Sequence, residues 1–338
     1  MMPGEHRGNR TAVLFGILIN SVVGLVEREE RGQSRFLSKD RRLNTSMITV
    51  TRKTAITLLV LTTIFWGSSY SFTKALTVHF PPLWVVTFRF GLAGLVLLAL
   101  TRREIIAAIR DSACADLLQL CSLGVINFVA ILCFTISLQA IEVTNSGFIL
   151  SSALLLVPLI EFIFLGRPLS LNVRIALLLL TIGIYCMSFG FALPKPFRWG
   201  ESVCFIAAVL YSIYIIMLGG LSRKFHSGVI MSFLFLITAV IAGPTAFFTC
   251  GADFTPFADY RTSLDLVYLA LVGTAIPYVF MGVGQRSLDN QTAALIYIFE
   301  PVAATMIALL FFGESIPSAT WIGAGIILAG QYIAVGRT

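Results

Sequence analysis

Charge is what this sequence has least of. Only 12% of its 338 residues are Asp, Glu, Lys or Arg, against about 25% in an average soluble domain, which excludes an ordinary water-soluble fold. Histidine is nearly absent: His6, His79 and His226 all fall in tails or links. No GxxxxGK[ST] phosphate loop occurs, so histidine general-base chemistry and ATP drive find no residues here. The six cysteines (Cys114, Cys121, Cys133, Cys186, Cys204 and Cys250) show no metal-ligand spacing, which argues against both a zinc site and a disulfide framework. No cofactor, no metal and no enzymatic activity are expected.

What the chain has in abundance is apolar length. Hydrophobic residues make up 57%, and a bilayer core about 30 Å thick needs about 20 of them per helix. Ten windows fit, over residues 54–75, 83–101, 116–137, 146–165, 174–193, 200–219, 228–248, 264–285, 290–312 and 318–336. The links are too short for a soluble catalytic domain. The expected fold is an all-α integral membrane protein of ten transmembrane helices.

The net charge of +7 is a topology signal and does not point to nucleic acid. Eight of the 24 basic residues precede position 47, and most others flank spans. With the first span entered from the cytoplasm, the inner segments hold Arg52, Lys53, Arg102, Arg103, Arg110, Arg167, Arg174, Arg223, Lys224, Arg286 and Arg337. The outer loops hold Lys195, Arg198 and Arg261. That asymmetry predicts a cytoplasmic location for both ends of the ten-helix body. Residues 1–46 read as a poorly structured extension whose apolar run, Ala12 to Val26, is short for a span; a native start at Met47 is one expectation and a floppy tail the other.

A shift of 147 residues lays "TNSGFILSSALLLVPLIEFIFLGRPLS" over "QTAALIYIFEPVAATMIALLFFGESIP". Ile149, Ile160, Phe164, Gly166, Gly183 and Tyr185 then meet Ile296, Ile307, Phe311, Gly313, Gly330 and Tyr332. Two repeats are expected, 47–193 and 194–338. Five spans each, an odd number, would make them inverted, the architecture of alternating-access transporters with a site near the midplane.

The segments "FWGSSYSFTKAL", "RFGLAGLVLLAL" and "YIFEPVAATMIALLFFGESIPSATWIGAGIILAG" resemble the EamA-type transporters of the drug/metabolite transporter superfamily, over about residues 50–337. The resemblance implies two inverted five-helix repeats and movement of small metabolites, often amino acids, across a plasma membrane such as a bacterial inner membrane. The first repeat departs from the family's usual Gly-Glu ending: it has Gly166-Arg167 where the second has Gly313-Glu314.

Ionisable groups within a span are costly, about 2.5 to 3.5 kcal/mol on insertion scales, and mark functional interiors. Lys74, Arg89, Glu161 and Glu300 are the candidates. Glu161 lies near the cytoplasmic end of its span and reads as interfacial. Trp66, Ser69, Tyr70, Thr73 and Lys74 share one helical face. Arg89 and Glu300 lie deep enough to pair, or to divide between them the carboxylate and ammonium of a bound zwitterion. Pro301 beside Glu300 is expected to kink its helix near Tyr297, with Pro158 and Pro277 as further bends. Asn127, Gln139, Tyr211 and Tyr214 complete the candidate lining, with helix–helix hydrogen bonding as the alternative use. Glu314 reads as ordering a loop or capping the helix at Ser318.

These residues predict a secondary transporter, an exporter of small metabolites such as amino acids, with membrane lipid as solvent and protons as candidate co-substrate. The alternatives are a facilitator, a carrier of drugs, carboxylates or sugar derivatives on the same fold, and a non-transporting scaffold. Substrate, direction and oligomeric state are left open by the sequence.

Overall fold

The computed structural model describes residues 50–165, 168–189, 198–221, 225, 227–284, 287–288, 293 and 296–335. The extension 1–46, Met47, His226, Lys195 and the pair Gly166-Arg167 lie outside them. The helices are α1 (Arg52–His79), α2 (Pro82–Asp111), α3 (Cys114–Ser137), α4 (Val143–Ser151), α5 (Ala153–Leu165), α6 (Leu171–Phe189), α7 (Trp199–Leu221), α8 (Ser227–Cys250), α9 (Tyr260–Ala270), α10 (Ile276–Gly284), α11 (Glu300–Phe311) and α12 (Ser318–Val335). A π-turn, Leu271–Ala275, joins α9 to α10.

Among the described residues seven helical stretches are long and apolar enough to cross a bilayer: Arg52–His79, Pro82–Arg110, Cys114–Ser137, Val143–Ile163, Trp199–Leu218, Ser227–Cys250 and Tyr260–Met281. Three shorter apolar helices, Leu171–Met187, Glu300–Phe311 and Ser318–Ala334, occupy the other expected positions. The chain is therefore an all-helical, multi-pass membrane protein among its described residues.

Local chemistry sets the boundaries. Thr51 caps α1, its hydroxyl accepting from the Thr54 amide at 3.3 Å, one of the orphan donors of a helix start. The Pro81-Pro82 pair ends α1 and begins α2, because proline at the first helical position loses nothing and restricts the residue before it. Asp259 caps α9, accepting from the amides of Arg261 and Thr262.

Contacts fix which ends lie together. Lys74, near the end of α1, donates to the Ile141 carbonyl at 3.1 Å in the α3–α4 turn. Glu314, after α11, accepts from the Val143 amide at 2.6 Å. Trp84, early in α2, donates to the Gly251 carbonyl after α8 at 2.8 Å. Gly200, at the start of α7, abuts Ala140. So α7 starts at the end of the bundle where α1 finishes, and the two halves run through it in opposite senses.

A bilayer gives no hydrophobic reason for one apolar helix to prefer another over lipid, so close approach of small residues and interhelical hydrogen bonds must hold the bundle together. Between α6 and α12 a Cβ on Gly183 would lie 2.8 Å from the Gly323 carbonyl oxygen, and a Cβ on Gly330 would lie 3.1 Å from that of Ala176. The 147-residue shift carries each contact onto the other, Gly183 to Gly330 and Ala176 to Gly323. An internal two-fold relation is thus visible in packing. Ala176, Leu180 and Ile184 fill the seam against Ala324 and Ile327.

The same shift relates two interruptions. Helix α4 stops at Ser151 and α5 resumes at Ala153. In the second half, residues 298–299 form a turn before α11 begins at Glu300; Ser152 maps onto Phe299. Pro158 lies inside α5, beyond the break. Pro301 is in the first turn of α11: the expected kink is a discontinuity, with a new helix starting at Glu300. Proline fits a first turn because no amide partner is needed there.

Candidate functional site

The restart of α11 determines the setting of Glu300. Its carboxylate lies in the first turn, where unsatisfied amides and the helix dipole favour negative charge, and Phe299 supplies no side-chain cap. From α1, the Tyr70 hydroxyl donates to Glu300 Oε1 at 2.5 Å. Two glycines allow this meeting. Gly67 lets α1 touch the α11 backbone, since a Cβ there would stand 2.7 Å from the Ala304 nitrogen, and Gly147 of α4 lies against the Tyr70 ring. Phe134 of α3 closes against Tyr70 edge-on at 4.8 Å.

Arg89 of α2 is buried, 6% exposed. Its Nε donates to Thr274 Oγ1 at 2.7 Å, Nη1 to Thr73 Oγ1 at 3.4 Å and Nη2 to the Gly273 carbonyl at 3.4 Å. Sequence dictates these acceptors. Pro277 has no amide to aim at the Gly273 carbonyl, and the π-turn sends the Thr274 hydroxyl to the Leu269 carbonyl at 2.8 Å, leaving its lone pairs toward Arg89. Among the described residues no carboxylate lies within ion-pair distance of the guanidinium. The expected direct Arg89–Glu300 pair is not formed: Arg89 is held by neutral oxygens and Glu300 by a phenol.

Aromatic rings gather in the same region: Tyr70, Tyr214 and Tyr278 belong to one buried cluster, with Trp66 and Tyr211 packed against it. The Tyr211 and Tyr278 hydroxyls are 3.5 Å apart. Trp66 meets Tyr278 edge-on at 5.3 Å and Tyr297 at 5.8 Å, and Tyr211 lies 5.0 Å from Tyr214. The Tyr214 hydroxyl is buried and has no hydrogen-bond partner among the described residues. Glu300, Trp66, Tyr211 and Tyr297 keep part of their surface uncovered. The cluster thus combines an anion, a cation, several hydroxyls and apolar ring faces, a set that can bind a small molecule carrying both charges.

Trp66, Thr73, Arg89, Tyr211, Tyr214, Tyr297 and Glu300 are therefore brought to one region. Ser69 is fully buried, donates to the Trp66 carbonyl at 2.7 Å and packs on Gly273. Asn127 bridges α3 to α8, donating to Thr238 Oγ1 at 3.0 Å. Gln139 reaches the Thr77 carbonyl at 3.5 Å, away from the cluster. Lys74 pairs with Glu142 at 2.8 Å. Glu161 is half-buried near the end of α5. Glu314 accepts from the first amides of α4; of the two expected uses, ordering a loop and capping the helix at Ser318, the cap falls on a different helix. Tyr70, on the polar face of α1, joins the cluster through its bond to Glu300. Tyr278 and Thr274 were missed; the one local signal was a tyrosine directly after Pro277.

Comparison with known proteins agrees with this architecture. The model of the EamA-like transporter family matches the chain twice, over residues 53–189 and 198–336. An "Uncharacterized transporter" of Archaeoglobus fulgidus is 27% identical over 218 residues, 64% of this chain and 75% of the relative. A second protein so named from the same organism is 23% identical over 276 residues, 81% and 83% of the two chains. A solved structure described as "Crystal structure of protein" superposes with a TM-score of 0.61 at 19% identity, covering 84% of this chain and 96% of its own, a likeness of fold. With two matched repeats, opposed halves and a polar cluster between them, the chain belongs to the EamA-like transporter family of membrane transporters.

Proposed function

We propose that the protein exports a small zwitterionic metabolite, in the first instance an amino acid, across the plasma membrane by alternating access between two inverted five-helix repeats, 47–193 and 194–338. In this reading ten helices cross the bilayer and the basic-residue asymmetry puts both ends of the body in the cytoplasm. The observation that carries it is the division of charge at the site. Arg89 has no carboxylate partner among the described residues and Glu300 has a neutral one. A substrate carboxylate on Arg89 and an ammonium on Glu300 would complete both. Burying two uncompensated charges is expensive, and a ligand bearing their complements removes that cost.

Glu300 is also the candidate proton carrier. The ammonium and a proton compete for one carboxylate, which is the minimum requirement for antiport. The test is uptake of a labelled amino-acid mixture into proteoliposomes with and without a pH gradient, comparing wild type with Glu300→Gln. Gradient-driven uptake that disappears in the variant supports both parts. Uptake insensitive to the gradient makes the protein a facilitator, and no uptake by folded protein removes amino acids from the substrate list.

A further inference from the structure

Past residue 100, α2 changes character. Residues 82–100 rise about 28 Å at about 1.5 Å each, already close to the hydrocarbon thickness of about 30 Å. Thr101 then leaves helical geometry, with φ −117° and ψ 18°. Its hydroxyl donates back to the Leu97 carbonyl at 2.8 Å, a bond of the kind that bends helices, and lies 2.9 Å from the Ser232 hydroxyl of α8. Beyond the bend the helix resumes to Asp111, and residues 112 and 113 suffice to turn the chain into α3 at Cys114. The segment is tied at its start to α8 and at its end to α3, at the level where hydrocarbon gives way to headgroups.

The segment mixes charge with uncovered apolar surface. Arg102, Arg103 and Arg110 are exposed, and so are Ile106 and Ile109, at 64% and 52%, while Ile105 is buried against the bundle. Helical spacing puts Arg102, Ile106 and Ile109 in one row (i, i+4, i+7) and Arg103, Ile106 and Arg110 in the next (i, i+3, i+7), with Glu104 on the side opposite Ile106. Among the described residues neither Arg102 nor Arg103 is ion-paired. Uncovered isoleucines beside unpaired guanidiniums suit neither bulk water nor hydrocarbon alone. At a membrane surface the isoleucines enter the upper acyl chains and the arginine stems lie along them, with the charged heads at the phosphates.

We propose that this strip of α2 binds the headgroups of anionic phospholipids, Arg102 and Arg103 taking the phosphates and Ile106 and Ile109 seating the strip in the bilayer. Guanidinium matches phosphate oxygens in a planar, two-pronged contact, and a lipid of net negative charge leaves the arginines compensated where a zwitterionic one does not. Topology alone asks for positive charge at this end. It does not ask for uncovered isoleucines in register with that charge, nor for a bend that fixes their bearing. The binding serves the protein whatever substrate it carries.

The test is native mass spectrometry of the full chain released from detergent, with phosphatidylglycerol and phosphatidylcholine of the same acyl length present in equal amounts. Wild type is expected to retain phosphatidylglycerol in preference. Arg102→Gln/Arg103→Gln is expected to lose about twentyfold of that preference, about fivefold for each arginine at an anionic surface. Lys53→Gln/Arg174→Gln removes two exposed charges near the starts of α1 and α6, at the same end of the bundle, and is expected to keep the preference. Ile106→Asn is expected to weaken phosphatidylglycerol retention with every charge kept. All five positions are exposed, and gel filtration confirms that each variant is folded. Equal loss in the two double variants would mean diffuse surface charge and overturn the site on α2. Equal retention of the two lipids by wild type would overturn it as well and leave the strip to a protein partner. The readout does not involve transport, so its failure and that of the amino-acid reading are separate results.

Discussion

The Tyr70 hydroxyl and the Glu300 carboxylate, 230 positions apart in sequence, meet at 2.5 Å between the first helix of one half and an interrupted helix of the other. A hydroxyl that donates to an ionised carboxylate makes a charge-assisted bond, stronger than a neutral one. It also joins the two halves beside the place where a substrate ammonium is expected. Whatever moves the halves apart has to break this bond or carry both groups together.

Tyr70→Phe removes the donor and leaves Glu300 with a lost partner, at a cost of about 1.5 to 3 kcal/mol for a bond to a charged group. We expect uptake to fall about tenfold or more. In Glu300→Gln the same Tyr70→Phe change should matter much less. A double-mutant cycle on unfolding stability measures that coupling; additive effects would mean that the two residues act independently.

Arg89→Lys retains charge but loses the planar fork that reaches Thr274, Thr73 and Gly273 at once. It is expected to transport little better than Arg89→Gln, while gel filtration shows a folded protein for both. Near wild-type uptake by Arg89→Lys would reduce Arg89 to a source of positive charge.

The seam between α6 and α12 has no room for a branched side chain at Gly183, where even a Cβ would lie 2.5 Å from Ile327. Gly183→Val should destabilise by about 1 to 3 kcal/mol, as overpacking does, and lower Tm by several degrees. Gly325 faces open space, and Gly325→Ala should leave Tm unchanged. Equal melting of the two variants would contradict the close approach of these helices.

Asp259 at the start of α9 is held below the usual carboxylate range by the Thr262 hydroxyl and then by the amides of Arg261 and Thr262. A depressed folded value means that the cap contributes above the ordinary carboxylate range and is lost as pH falls through that lower value. Asp259→Asn should keep the cap and remove its pH dependence, whereas Asp259→Ala should speed amide exchange at Arg261 and Thr262 at neutral pH. Identical exchange in all three proteins would show that the cap is redundant.

Much of this architecture was legible in the linear sequence. Apolar run length located the helices because the bilayer sets one thickness for all of them. Buried charge singled out Arg89 and Glu300 because a lone charge in an apolar span is too costly to keep without use. The spacing of Gly183 and Gly330 gave away the repeat because helix seams in lipid depend on small residues.

Partners were not legible. Arg89 and Glu300 invited a direct pairing by depth alone, yet depth says nothing of azimuth, and the structure gives the guanidinium to the α9–α10 π-turn and the carboxylate to Tyr70. Glu314 reads locally as ordering a loop or capping the helix that follows it, and Gly313 turns the chain so that it meets α4 of the other half. The sequence by itself determined an all-helical membrane body, its repeat and its unusual charges, since these follow from local composition and period. Only the tertiary structure decided which charge meets which donor, because that depends on how helices from opposed halves cross, a relation that no stretch of contiguous residues contains.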